Sequence, residues 1–212
     1  MKKLNFFSPE VKLNCDLAIV GSSKSIMSQN HGKRIDNYKE IIRFNYAEVD
    51  EYKSFVGEKT TLRVINNNVF ISKKNDRIFF NKFKNKKIAV ISPFKFTKKE
   101  KLENINDQNE YFFFEGKIKS FLICIYFIRY FSIFLNLLKL VLKKNFSVGF
   151  LTILICISSG IKPDIFGFDI NENMNKRSYY WRNNFPIGNV HNLESEHIII
   201  KMLLEKGLIN LF

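Results

Sequence analysis

The feature that most restricts the fold is a short unbroken apolar run, Leu17-Ala18-Ile19-Val20, closed at once by Gly21-Ser22-Ser23. A strand that is apolar on both faces can leave neither to water. It belongs inside a sheet covered on both sides, and such sheets are parallel. Comparable segments recur at 40–45 (EIIRFN), 61–66 (TLRVIN), 87–92 (KIAVIS, stopped by Pro93) and 164–168 (DIFGF). Between them, 96–109 is charged and predicts a short surface helix. Ser147-Val148-Gly149 opens a second helix, with Leu151, Leu154 and Ile155 buried. Residues 193–206 predict a third, with Ile198, Met202 and Leu203 on one face. Strands alternating with helices specify an α/β fold: one Rossmann-like domain over 1–212, a mostly parallel sheet flanked by helices. No internal repeat and no linker divides the chain.

Composition narrows the class. With 212 residues, 46% of them hydrophobic and 15% aromatic, the chain can bury a sizeable core and is not a disordered protein. The net charge of +14 favours an acidic partner or an acidic membrane surface, although an abundance of Phe, Ile, Asn and Lys also fits AT-rich codon usage. Cys15, Cys124 and Cys156 form no even framework and no Cys-x-x-Cys pair, which argues against structural zinc and for a reducing compartment. Before Pro9, residues 1–14 have two lysines and only a few apolar residues, too short a stretch for a signal-peptide core. Over 121–142, Arg129, Ser132, Asn136 and Lys139 fall on one helical stripe, leaving a wide apolar face. A mid-segment Arg costs about 2.5–3.5 kcal/mol on insertion, so this segment reads as a core helix or one resting on a membrane surface, not a span. A cytoplasmic protein, peripheral on the inner face of a membrane, is the expectation.

Two separated segments carry the chemistry. Gly21, Ser22 and Ser25 end the first strand in a loop where backbone can approach a ligand and short hydroxyls can bind ribose or phosphate oxygens. Arg43-Phe44-Asn45 places a carboxamide at a strand end. Ser147, Val148 and Gly149 sit at a helix N-terminus, where free N–H groups and the helix dipole attract phosphate. By chemistry alone this is a generic nucleotide loop. Farther on, His191 offers an imidazole suited to general-base work, and Glu196 an anchor for the helix it begins. His197 is expected to point elsewhere on that helix, and His31 to lie in a loop. Tyr179 and Tyr180 could donate to a phosphate and Arg177 could supply charge; an aromatic cluster with Trp181 is the structural alternative. No Asp-x-Asp motif is present, Asp169-Ile170-Asn171 being the nearest approach, so neither metal nor cofactor is expected.

In order and spacing these segments resemble the sialylmotifs of the family-29 sialyltransferases. Residues 17–36 (LAIVGSSKSIMSQNHGKRID) look like motif L, continuing through Arg43-Phe44-Asn45 to Gly57-Glu58-Lys59-Thr60-Thr61. Residues 147–168 (SVGFLTILICISSGIKPDIFGF) resemble motif S. Ser178-Tyr179-Tyr180-Trp181 looks like the third motif, and His191-x4-Glu196 matches VS. The resemblance implies that Gly21, Ser22, Ser25, Asn45, Ser147 and Gly149 hold the CMP portion of a CMP-sugar. It implies that His191 deprotonates a glycan hydroxyl in an inverting transfer that needs no metal. The CMP-sugar is then a co-substrate, and a glycan or glycolipid the acceptor.

The sequence also departs from the family. Ser22 and Ser25 stand where the motif L loop has Asn, and Ser178 where the third motif begins with His; Arg177 is expected to take over the phosphate contact. Leu17 and Gly160 occupy the positions of the disulfide found in secretory-pathway members. These departures also fit a transferase-like fold without activity, and two further readings stay open beside sialyl transfer from CMP-sialic acid. One is transfer of another CMP-activated keto-sugar, such as Kdo or a related nonulosonic acid. The other is a non-catalytic basic protein binding an acidic membrane or another polyanion. The scattered basic residues and the lack of a recognised module argue against nucleic acid.

Overall fold

The computed structural model describes residues 4–6, 8–13, 16–72, 87–92, 95–105, 109–115, 146–170, 179–181 and 193–212. Strands β1 (Leu4–Phe6) and β2 (Ser8–Leu13) form an antiparallel hairpin. The remaining strands are β3 (Leu17–Val20), β4 (Glu40–Phe44), β5 (Leu62–Asn66), β6 (Lys87–Ser92), β7 (Glu110–Glu115), β8 (Asp164–Phe166) and β9 (Asn210–Leu211). They make one seven-stranded sheet in the order β7-β6-β5-β4-β3-β8-β9. Every pairing in it is parallel. The expected α/β architecture is thus present.

Alternation along the strands explains the two-sided core. Leu17, Ile19, Ile42, Phe44, Leu62, Val64, Ala89, Ile91, Phe112 and Ile165 point to one face. Helices α5 (Val148–Ser158) and α6 (Leu193–Glu205) cover that face with Phe150, Ile153, Leu154, Ile199, Ile200 and Leu203. Ala18, Val20, Ile41 and Phe166 face the other way, toward α1 (Gly32–Asp36) and α2 (Lys53–Val56). Farther along that second face, Ile65, Ile88 and Val90 pack beneath Val69 and Phe70 of α3 (Asn67–Ser72). Helix α4 (Lys98–Asn104) is the charged surface helix expected within 96–109. Its start is a capping box: Thr97 Oγ1 accepts from the Glu100 N–H, and Glu100 accepts from the Thr97 N–H.

Two expectations about helix faces change. Ile198 is 48% exposed, and the buried stripe of α6 runs instead through Glu196, Ile199, Ile200 and Leu203. The stripe is displaced because the helix presents a carboxylate, not only apolar groups, to its neighbour. Leu151 is half-buried, while Leu154 and Ile155 are buried as expected. Cys156 is a buried free thiol, pushed well above the usual range by burial. Among the described residues, no helix is long and apolar enough to cross a membrane. The segment 121–142 lies outside them.

Candidate active site

Strand order reverses beside β3: β4 to β7 follow on one side, while β8 and β9 lie on the other. In open parallel sheets, ligands bind at the C-terminal strand ends at such a switch point. A cleft of about 140 Å³ lies there, walled by the turns after β3, β4, β5 and β8 and by the starts of α5 and α6.

The turns after β3 and β8 are drawn together by the backbone. The Gly21 N–H donates to Phe166 O (2.7 Å) and the Ser23 N–H to Gly167 O (3.2 Å). A Cβ on Gly21 would lie 2.4 Å from Gly167 O, so only glycine allows this approach. Ser23 Oγ donates to Asp169, tying the two loops by side chains as well. Gly149 lets the first turn of α5 pass the Phe168 ring, where a Cβ would stand 3.2 Å from it. Phe44 meets Phe168 edge to face, giving the cleft an apolar wall.

The polar side of the cleft is built around two carboxamides. Asn45 follows β4 with φ of 41°, and its Oδ1 accepts the Asn66 N–H at 3.1 Å. Asn66 ends β5, and its Oδ1 accepts the Val69 N–H at 2.8 Å, capping α3. Each amide oxygen accepts one backbone N–H, which orients the side chain and leaves the NH2 donors and the oxygen's second lone pair for other partners. At the start of α5, Ser147 Oγ accepts the Phe150 N–H (3.1 Å) and donates to Glu196 Oε2 (2.6 Å). The Ser147 N–H donates to Glu196 Oε1 at 2.5 Å. Buried Glu196 therefore holds the first turn of α5. Val148 and Gly149 carry the other N–H groups of this first turn, which have no intrahelical acceptor.

Of the residues expected from sequence, Gly21, Ser22, Asn45, Ser147, Val148, Gly149, Tyr179 and Glu196 line this one cleft. Ser25 does not: the 3₁₀ turn over Lys24–Ser28 carries it to an adjoining hollow with Ser28, Gln29 and His31. Tyr180 does not either. It is 5% exposed and its hydroxyl donates to Glu48 O, while its N–H supports Ser22 O from beneath at 3.2 Å. Burial pushes its phenol up to about 12. Trp181 stacks on Tyr179 and meets Tyr180 edge to face, so the aromatic cluster is present. His191, Arg177 and Ser178 lie outside the described residues. Ser23, Asn66, Phe168, Asp169 and His197 line the cleft without having been singled out as site residues. His197 in particular faces it, contrary to the sequence reading. Asn66 ends the strand expected over 61–66 as an amide matching Asn45, while Asn67 and Asn68, which read as a turn in sequence, open helix α3. His31 precedes α1 and meets Phe166 edge to face; burial, then Arg34, lowers its pKa. Among the described residues, no group of three or more His, Cys, Asp or Glu side chains is placed to hold a metal ion.

A parallel sheet with glycine turns, amide donors and a helix N-terminus gathered at its switch point defines an α/β protein of the Rossmann-like class. The chain matches the model of glycosyltransferase family 29 (sialyltransferase) over residues 3–208, and it belongs to that family. Local relatives include sialyltransferase-like protein 2 of Arabidopsis thaliana, 41% identical over 49 residues, which are 23% of this chain and 11% of the relative. Mouse beta-galactoside alpha-2,6-sialyltransferase 1 is 37% identical over 57 residues, 27% of this chain and 14% of that protein. The beta-1,6-galactosyltransferase GALT29A of Arabidopsis thaliana is 36% identical over 62 residues, 29% and 15% of the two chains. These matches thus span about one seventh or less of each curated relative. The fold extends further. A crystal structure of a mammalian sialyltransferase superposes with a TM-score of 0.61 at 16% identity, covering 92% of this chain and 68% of that one. The sialyltransferase CstII from Campylobacter jejuni, in complex with cytidine-5'-monophosphate, gives 0.52 at 12% identity, covering 93% and 79%.

Proposed function

We propose that the cleft binds the nucleotide of a CMP-activated acidic sugar, CMP-sialic acid first, and that the protein transfers the sugar to a hydroxyl of a glycan acceptor. The observation carrying this reading is that Asn45 and Asn66, each oriented by a bond from its amide oxygen to backbone, line one cleft with the α5 N-terminus, in a chain of family 29. Their N–H donors favour phosphate and the acceptor-rich edge of a pyrimidine. That CstII of similar fold binds cytidine monophosphate supports the nucleotide assignment.

In the proposed reaction, the acceptor O–H proton passes to His191 as its oxygen forms a bond to the anomeric carbon. The bond from that carbon to the phosphate oxygen breaks on the opposite face, and CMP leaves with the electron pair, inverting the configuration. Neutral N–H donors meet the charge growing on the phosphate, the task a metal would otherwise perform. The sugar is less constrained than the nucleotide. One relative is named a galactosyltransferase, so the alternative of another activated sugar, Kdo or a related nonulosonic acid among them, stays beside sialic acid.

Calorimetric titration with CMP in EDTA, paired with a transfer assay from CMP-sialic acid, tests the proposal. CMP binding is expected in wild type and in His191→Ala, with transfer falling about 10²–10⁴-fold in the variant. Wild-type protein that binds no CMP would sink the nucleotide reading. Undiminished transfer by His191→Ala would sink the base assignment alone.

A further inference from the structure

The second face of the sheet holds two arginines, Arg43 on β4 and Arg63 on β5, each 0% exposed. They are register partners on neighbouring strands, so their side chains lie side by side between two apolar clusters. Burying a guanidinium is costly unless its N–H groups find acceptors, and these two find different ones. Arg43 takes the loop after α2: its Nη2 donates to Val56 O, Gly57 O and Lys59 O at 2.5, 3.1 and 3.2 Å, and its Nε to Thr60 Oγ1 at 3.1 Å. Arg63 Nη1 donates to Asn45 O at 2.8 Å and to Ala47 O at 3.2 Å.

Asn45 needs this support. Its φ of 41° is left-handed backbone, which costs a non-glycine residue about 1 kcal/mol or more unless its surroundings fix it. Three contacts do so: its N–H donates to Val64 O (2.9 Å), its Oδ1 accepts from Asn66, and its carbonyl accepts from Arg63. We propose that Arg63 is a positioning residue of the nucleotide cleft, a buried peg that holds the carbonyls of Asn45 and Ala47 and so aims the Asn45 amide at the ligand. The inference rests on the reading of the cleft as a nucleotide site. Burial and the neighbouring Arg43 lower the pKa of Arg63 to about 9, which leaves it charged and donating at neutral pH.

Arg43 supplies the control. It has the same side chain, the same burial and the same sheet face, but it holds a loop that does not line the cleft. Full-length Arg63→Met and Arg43→Met should both unfold at lower temperature than wild type. CMP titration well below those temperatures should show about a tenfold or greater rise in Kd for Arg63→Met, and about twofold or less for Arg43→Met. In an Asn45→Ala background, Arg63→Met should add little further loss, the mark of two residues acting through one contact. Arg63→Lys, which keeps a cation and N–H donors, should recover part of the affinity and serves in place of Arg63→Met should that variant fail to fold, its Kd then lying between wild type and Asn45→Ala. Equal losses in the two Met variants, or full additivity with Asn45→Ala, would overturn the role of Arg63 while leaving the nucleotide reading intact. A wild-type protein that does not bind CMP would overturn both.

Discussion

Tyr180 shows how a residue can serve the cleft without entering it. Its N–H holds Ser22 O, its hydroxyl donates to Glu48 O, and its ring packs against Tyr52 and Trp181. Burial, opposed by Arg43 and Arg63, raises the phenol from 10.0 to about 12. Because the folded value lies above the unfolded one, the stabilisation is complete below pH 10 and is lost as pH rises through 12. A shift of that size corresponds to about 2–3 kcal/mol. Tyr180→Phe should therefore flatten the fall in unfolding free energy across this window, read by denaturant titration at stepped pH. An unchanged slope would mean that other groups dominate alkaline unfolding. Sequence alone left Tyr180 open between phosphate donor and aromatic cluster, because spacing within Ser178-Tyr179-Tyr180-Trp181 does not say which side chain turns inward. Tyr179 and Tyr180 alternate about the backbone, one to the cleft and one to the core.

Elements were legible where hydrophobicity was continuous and ambiguous where it was not. The runs 17–20 and 87–92 became β3 and β6 with those bounds, and 40–45 and 61–66 became β4 and β5 to within a residue. Strand β7 (EYFFFE) is the exception: its aromatic run is continuous and yet went unmarked. Helix α6 was placed correctly and Leu203 faces the core as expected, but Ile198 turns to solvent and Glu196 turns inward, where it reaches Ser147, 49 residues earlier in the chain. That contact is what joins α5 to α6 at the cleft. In Glu196→Gln one of the two oxygens becomes an NH2, which cannot accept from either Ser147 donor. The cost should be about 1–3 kcal/mol, as for a buried polar group left unmatched. At about 2–4 °C per kcal/mol for a chain of this size, calorimetry should show a clear loss in Tm. CMP affinity should fall with it as the Val148 and Gly149 N–H groups shift. A Glu196→Gln protein as stable as wild type would show that the two helices are held by apolar packing alone.

At the scale of the molecule, the cleft is a consequence of topology. The chain lays β3 to β7 outward in one direction and returns to place β8 and β9 on the other side of β3. Glycine turns after β3 and β8, the amides after β4 and β5 and the starts of α5 and α6 consequently meet, although they come from positions 21 to 200 of the sequence. Motif order revealed that convergence; it could not reveal Asn66 or His197, whose roles depend on how α3 and α6 dock. A ligand bridging all of these elements binds the folded chain and not the unfolded one. CMP should therefore stabilise the whole domain by mass action, by about 2.7 kcal/mol at a concentration of 100 Kd. For about 200 residues this corresponds to a rise in Tm of about 5–10 °C. The shift should be smaller with cytidine, which lacks the phosphate that the α5 N-terminus would hold. It should be unchanged by EDTA if neutral donors carry the contact, and unchanged in His191→Ala, whose proposed task comes after binding. Scanning calorimetry of the two proteins with CMP, cytidine and EDTA separates these statements. Equal shifts for CMP and cytidine would remove the phosphate from the α5 N-terminus, and a shift abolished by EDTA would require a metal in the cleft.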